Sequence, residues 1–155
     1  MSAREYPARP LVGVGAVVLK PDAVLLVRRG RPPAMGLWSI PGGAQRVGET
    51  AEEGARRELG EETGLVAGVL HLVAHVDSIH RDADGRIRYH YTILDFAGAW
   101  TGGEPAAGGD VADARFVPFA ELGAYALWSE AMRVIEAARV LLSSGDGGSG
   151  RAGRN

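Results

Sequence analysis

The chain has 155 residues, enough for one domain with a substantial core. Its residues are 46% hydrophobic and 23% charged, as in an ordinary soluble globular protein, and with no Cys it excludes disulfides and thiolate metal sites. A net charge of −2 gives no basic footprint for nucleic acid. No apolar run approaches the ~20 residues that cross a bilayer, and MSAREYPARP lacks the apolar core of a signal peptide. A cytoplasmic protein with neither nucleic-acid nor membrane partners is therefore expected.

Residues 1–9 are expected to form a flexible arm, 10–142 a single domain, and the Gly/Ser-rich stretch 143–155 a disordered tail. LVGVGAVVLK (11–20) and AVLLVRR (23–29) are β-rich runs split by the turn signal Pro21-Asp22. GRPPAMG (30–36) reads as a loop. LWSI (37–40) reads as a short strand stopped by Pro41-Gly42-Gly43. The clearest helix follows: Thr50 is placed to N-cap it, Glu53 completes a capping box, and Gly64 ends it. VLHLVAHVDSIH (69–80) and RIRYHYTILDFAGAW (86–100) read as long strands joined by a hairpin turn at Asp84-Gly85. In the second, Tyr89, Tyr91, Ile93 and Asp95 share a face suited to lining a pocket; His90, Thr92, Leu94 and Phe96 share the other. ARFVPF (114–119) is a further strand. WSEAMRVIEAARVLL (128–142) is an amphipathic helix with Met132, Ile135, Ala138, Val140 and Leu142 as its apolar positions. Strands dominate, with only two substantial helices. This pattern predicts an α+β fold, a mixed sheet flanked by helices in an α/β/α sandwich, and not a doubly wound parallel fold.

The first helix carries RRELGEETG. At roughly 100° per residue, Ala51, Ala55 and Leu59 form an apolar stripe, Glu58 and Glu62 border it, and Glu61 stands beside them. Glu53, Arg56 and Gly60 take the far side. Like charges at this spacing repel. A divalent cation reverses the sign of that interaction, and hard oxygen donors without His or Cys alongside suit Mg²⁺ or Mn²⁺ better than Zn²⁺. A solvated acidic face, partly neutralised by Arg56 and Arg57, is the competing reading of this stretch taken alone.

The wider frame is Gly43, five residues, Glu49, seven residues, Arg57-Glu58-Leu59, Gly60, Glu61-Glu62, Thr63, Gly64-Leu65. It resembles the Nudix box, G-x5-E-x7-R-E-U-x-E-E-x-G-U with U a bulky aliphatic residue, at every specified position. LWSIPGG is similar to the W-x-x-P-G-G entrance found before that box. The resemblance implies a Nudix-type fold over about residues 10–142 and metal-dependent hydrolysis of a nucleoside diphosphate linked to another moiety. It also implies that the Gly43 carbonyl and the Glu58, Glu61 and Glu62 carboxylates hold Mg²⁺ or Mn²⁺. Glu49 and Arg57 would pair to fix the loop to the helix behind those ligands. Glu61 or Glu62 would accept the proton of the attacking water; Asp110, on a distant loop, is the rival, and Asp113 a weaker one.

For the substrate, Arg28, Arg29 and Arg31 are candidates to grip phosphate. Trp38 is a candidate to stack on a base or to pack under the box loop, with packing the favoured role. Tyr89 is a candidate for the pocket wall. His75, His80 and His90 read as structural. Gly54, inside the helix, is expected to mark close packing. The layout resembles the ADP-ribose pyrophosphatase-like branch, which implies ADP-ribose split to AMP and ribose 5-phosphate. The alternatives are a sanitising nucleoside triphosphate pyrophosphohydrolase and a nucleotide-sensing module without turnover. The implied partner is a small nucleotide. A homodimer, with the Tyr6-Pro7 arm crossing to its partner, is a further expectation.

Overall fold

The computed structural model describes residues 4–145. Its elements are β1 (Leu11–Leu19), β2 (Ala23–Arg29), β3 (Trp38–Ser39), β4 (Gly42–Ala44), α1 (Ala51–Thr63), β5 (His71–Arg81), β6 (Ile87–Ala99), β7 (Val111–Pro118), a 3₁₀ segment (Phe119–Tyr125) and α2 (Ser129–Gly145). The strands form one seven-stranded mixed sheet. β1 runs parallel to β6 along its whole length, from Leu11 opposite Tyr91 to Leu19 opposite Ala99. Its other edge is divided. β4 pairs antiparallel with it at Gly13–Gly15, and β2 touches it only at Leu19 opposite Val24. β2 turns away to pair with β3 and β7. This divergence leaves a cleft between the two halves of the sheet.

Side-chain alternation along β1 and β2 builds two cores. Val14, Ala16, Val18 and Leu25 pack with Ala55 and Leu59 of α1. Val17, Leu19, Val24 and Leu26 pack with Val134, Ile135 and Ala138 of α2. Of the apolar set expected in α2, Ile135 and Ala138 are buried and Leu142 packs against the core, but Met132 and Val140 are exposed, and Val134, outside that set, is buried. The sheet presents a broad surface only to the middle of the helix.

Two further expectations are corrected. Gly42–Ala44 is a strand, not a strand-ending turn, because β1 offers it free backbone groups at Gly13–Gly15. A Cβ on Gly42 would overlap the Val14 carbonyl, so close approach of the two strands requires glycine there. The final helix runs through Gly145, three residues beyond the expected domain end at 142; the remainder of the expected tail lies outside the described residues. In the N-terminal arm, Tyr6 is fastened to its own chain. Its N–H donates to the Arg88 carbonyl, its hydroxyl donates to Asp82 at 2.9 Å, and the Arg86 guanidinium lies 4.4 Å from its ring centroid.

Candidate active site

The helix α1 begins where expected. Thr50 accepts from the Glu53 N–H and the Glu53 carboxylate accepts from the Thr50 N–H, a complete capping box. It ends at Gly64 with φ 72°, a left-handed conformation that glycine adopts without cost. Beyond it, Arg56 donates to the carbonyls of Ala67 and Gly68, anchoring the connection to β5.

Arg57 is the hub of the acidic face. It grips Glu49 through two hydrogen bonds, Nε to Oε2 at 2.9 Å and Nη2 to Oε1 at 2.7 Å. It also donates to the Ala44 carbonyl at 3.0 Å and to Glu58 at 2.8 Å, and reaches Glu61 at 3.4 Å. One guanidinium therefore joins the loop, β4 and the acids of α1. The hydrogen bond from Arg57, aided by the Arg46 N–H, holds the Glu49 carboxyl down to about 2. Glu49 raises Arg57 above its ordinary value in return. Gly54 proves to be a packing glycine: a Cβ there would lie 2.9 Å from Glu49 Oε1 and 3.2 Å from Val14 Cγ2.

The three acids differ. Glu58 is largely buried and faces Gly43, where a Cβ would lie 2.5 Å from its Oε1. Glu62 accepts from the Gly42 N–H at 3.2 Å. Burial, then the charge of Glu58, pushes its carboxyl up to about 8. Glu61 is about half exposed and turns toward Arg46 and Arg57. Among the described residues no three acidic or imidazole groups converge into a ready-made cage. The donor set nevertheless fits a hard dication. Glu58 and Glu62 offer oxygens against the glycine backbone of β4, and Glu62 is held off its ionised form by burial and then by the Glu58 charge, the second of which a cation would offset.

Gly42, Gly43 and Ala44 also wall a cleft of about 920 Å³, within the size range of small-molecule sites. The α1 acids abut this wall without lining the cleft itself. Of the sequence candidates, the cleft receives Arg29, Arg31, Tyr89 and Asp110. Asp110 pairs with Arg31 at 3.2 Å and its carbonyl accepts from the Gly30 N–H. Its loop is tied to the end of α1, with the N–H groups of Ala106 and Gly108 donating to the carbonyls of Thr63 and Glu62. Asp113 pairs instead with Arg115.

Arg28 and Trp38 are not brought to the cleft. Trp38 packs edge-on against Tyr125 at 5.0 Å and against the α2 core, with the guanidinium groups of Arg28 and Arg115 over its ring. The packing role expected for Trp38 is the one observed, though against the 3₁₀ segment. Its position beside Pro41-Gly42-Gly43 in sequence gives no sign of that distant partner. His80 lines the cleft and bonds Ser78. Sequence reasoning missed Ser78, Trp128 and Glu130, which also line it; for the last two the only signal was their place at the start of an amphipathic helix.

The NUDIX domain profile matches residues 9–138. The chain belongs to the Nudix family. This Nudix protein is 38% identical over 107 residues to the ADP-ribose pyrophosphatase of Methanocaldococcus jannaschii, covering 69% of this chain and 61% of that protein. It is 47% identical over 60 residues to the oxidized purine nucleoside triphosphate hydrolase of Mus musculus, covering 39% of this chain and 38% of that protein. The chain therefore spans less than two thirds of the length of these curated relatives. Among solved structures, the NUDIX domain of Shewanella oneidensis NrtR complexed with ADP ribose superposes with a TM-score of 0.72 at 27% identity, covering 86% of this chain and 89% of that one. The mixed sheet flanked by helices is thus the Nudix fold. Among the described residues no helix is long and apolar enough to cross a membrane.

Proposed function

We propose that this Nudix protein is a Mg²⁺- or Mn²⁺-dependent pyrophosphohydrolase that splits ADP-ribose into AMP and ribose 5-phosphate. The observation that carries the reading is the meeting of Glu58 and Glu62 at the Gly42–Gly43 wall of a nucleotide-sized cleft. The M. jannaschii relative and the ADP-ribose complex of NrtR support the choice of substrate. The 60-residue likeness to the mouse hydrolase favours a second reading, a nucleoside triphosphate as substrate.

Glu58, Glu61, Glu62 and the Gly43 carbonyl would hold the metal, which when bound neutralises the diphosphate and polarises its phosphorus toward water. The chain's own groups supply the rest. Arg57 fixes Glu58 and, through Glu49, the loop before α1. Arg29 and Arg31 present positive charge to phosphate oxygens from the cleft rim. Glu62, whose carboxyl stands at the Gly42 wall, is placed to accept the proton of an attacking water once it is ionised. Asp110 is already paired with Arg31 and is mostly exposed, which makes it the weaker candidate for that role.

The test is hydrolysis of ADP-ribose, NADH, a diadenosine polyphosphate and 8-oxo-dGTP with Mg²⁺ or Mn²⁺, by the wild type and by Glu62→Gln. The expected result is release of AMP from ADP-ribose, with kcat lowered about 10²–10⁴-fold in a folded Glu62→Gln variant. Preference for 8-oxo-dGTP would select the second reading. A folded Glu62→Gln variant with full activity would remove Glu62 from the chemistry. ADP-ribose binding without product under either metal would instead make the domain a sensor.

A further inference from the structure

Asp95 is buried on β6, with 5% of its surface exposed, yet it lines the cleft. Among the described residues nothing donates to its carboxylate and no cation pairs with it. The one cation whose charge acts on it, Arg133, is bonded to Glu130 and to the His75 carbonyl. Because no fully buried side-chain polar atom among the described residues lacks a partner, the Asp95 oxygens must open onto the cleft. An acid left without a partner at such depth is costly in the empty protein. Burial accordingly pushes its carboxyl up to about 6.

We infer that the Asp95 carboxylate is the acceptor that reads a neutral hydrogen-bond donor on the nucleoside part of the substrate, an inference that rests on the nucleotide reading above. Its setting is built for access. Gly15 stands opposite Asp95 in the parallel register, and a Cβ on Gly15 would overlap Asp95 Oδ1. Glycine at that position leaves the carboxylate room to lie across β1.

Charge decides which part of the substrate meets it. A carboxylate with no cation beside it repels phosphate, so Asp95 must face an uncharged portion. Distance agrees. Gly15 pairs with Asp95 on one side and with Gly42 on the other. At about 4.8 Å per strand, the Asp95 backbone lies ~10 Å from the Gly42 backbone that Glu62 contacts, and the Asp95 carboxylate reaches back over Gly15 toward Pro41. The sugar or base attached to a diphosphate held at Gly42–Gly43 is therefore within reach of the Asp95 carboxylate. Val76, Tyr91 and Ile93 supply apolar and aromatic surface beside it. Two donors share the required chemistry: a ribose hydroxyl and the exocyclic amine of the base.

The test is a cycle between protein and substrate. The kcat/KM of the wild type, Asp95→Asn and Asp95→Ala is measured on ADP-ribose and on analogues lacking either the exocyclic amine or one ribose hydroxyl. One deletion is expected to cost the wild type about 10- to 100-fold and to cost Asp95→Ala nothing; the analogue that shows this coupling names the donor. Both variants should melt no lower than the wild type, since the lost carboxylate bonds nothing among the described residues. The inference is overturned if every deletion costs the variants as much as the wild type, or if the variants fail to fold, which would make Asp95 structural. A wild type inert toward the whole panel is a different failure, refuting ADP-ribose as the substrate and, with it, this inference about that substrate's nucleoside part.

Discussion

Glu62 holds its proton for two reasons, burial first and the charge of Glu58 second. The consequence for stability has a definite sign. The unfolded carboxyl titrates near 4.5 and the folded one near 8. Between those values the folded chain keeps a proton that the unfolded chain has released, so stability falls as pH rises through this window. Melting in chelator is expected to show this slope for the wild type and to lose most of it in Glu62→Gln. An unchanged slope in the variant would mean that Glu62 is ionised in the folded protein. Metal binding must displace the same proton, so cation affinity rises with pH over the same range.

At the scale of the element, α1 positions its acids through its connections as much as through its helical spacing. Gly54 shows how. Replacing it with Ala favours the isolated helix by about 1 kcal/mol. In place, the new Cβ meets Glu49 Oε1 at 2.9 Å, and Glu49 is clasped by Arg57 and the Arg46 N–H. Gly54→Ala is therefore expected to keep the helix, by circular dichroism, yet to weaken Mn²⁺ binding about tenfold by disturbing the Glu49–Arg57 clasp. Unchanged affinity would show that the clasp does not hold the acids in place.

The same element shows what a sequence can reveal. Thr50, Glu53 and Gly64 mark the ends of α1 because capping is local, and the spacing from Gly43 to Leu65 carries the family pattern within one loop and one helix. The alternation of Tyr89, Tyr91, Ile93 and Asp95 was legible too, since a strand's faces follow from its period. Strand β4 was not, because Gly42-Gly43-Ala44 has no intrinsic strand preference and pairs only because β1 lies beside it. Nor was the partner of Trp38: Tyr125 is remote in sequence and sits in a 3₁₀ segment with no periodic signature. The absence of any partner for Asp95 among the described residues is a property of the assembled cleft and has no signal in the chain.

For the whole molecule, one sheet serves two purposes. Its alternating faces seat α1 on one core and α2 on the other, and the divergence of β2 from β1 opens a cleft that both halves line. The acids of α1 approach the cleft wall at Gly42–Gly43, while Asp95 projects from the face that packs on α2. The carboxylates of Glu58 and Glu62 repel a diphosphate placed against the Gly42–Gly43 wall unless a cation intervenes. Cation binding by α1 is therefore the central claim, and titration of Mn²⁺ into the wild type, Glu58→Gln and Glu62→Gln tests it most directly. Saturable binding to the wild type is expected, weakened at least about tenfold by either substitution with the fold intact. Equal affinity in all three proteins, or no binding to the wild type with ADP-ribose present, would contradict it.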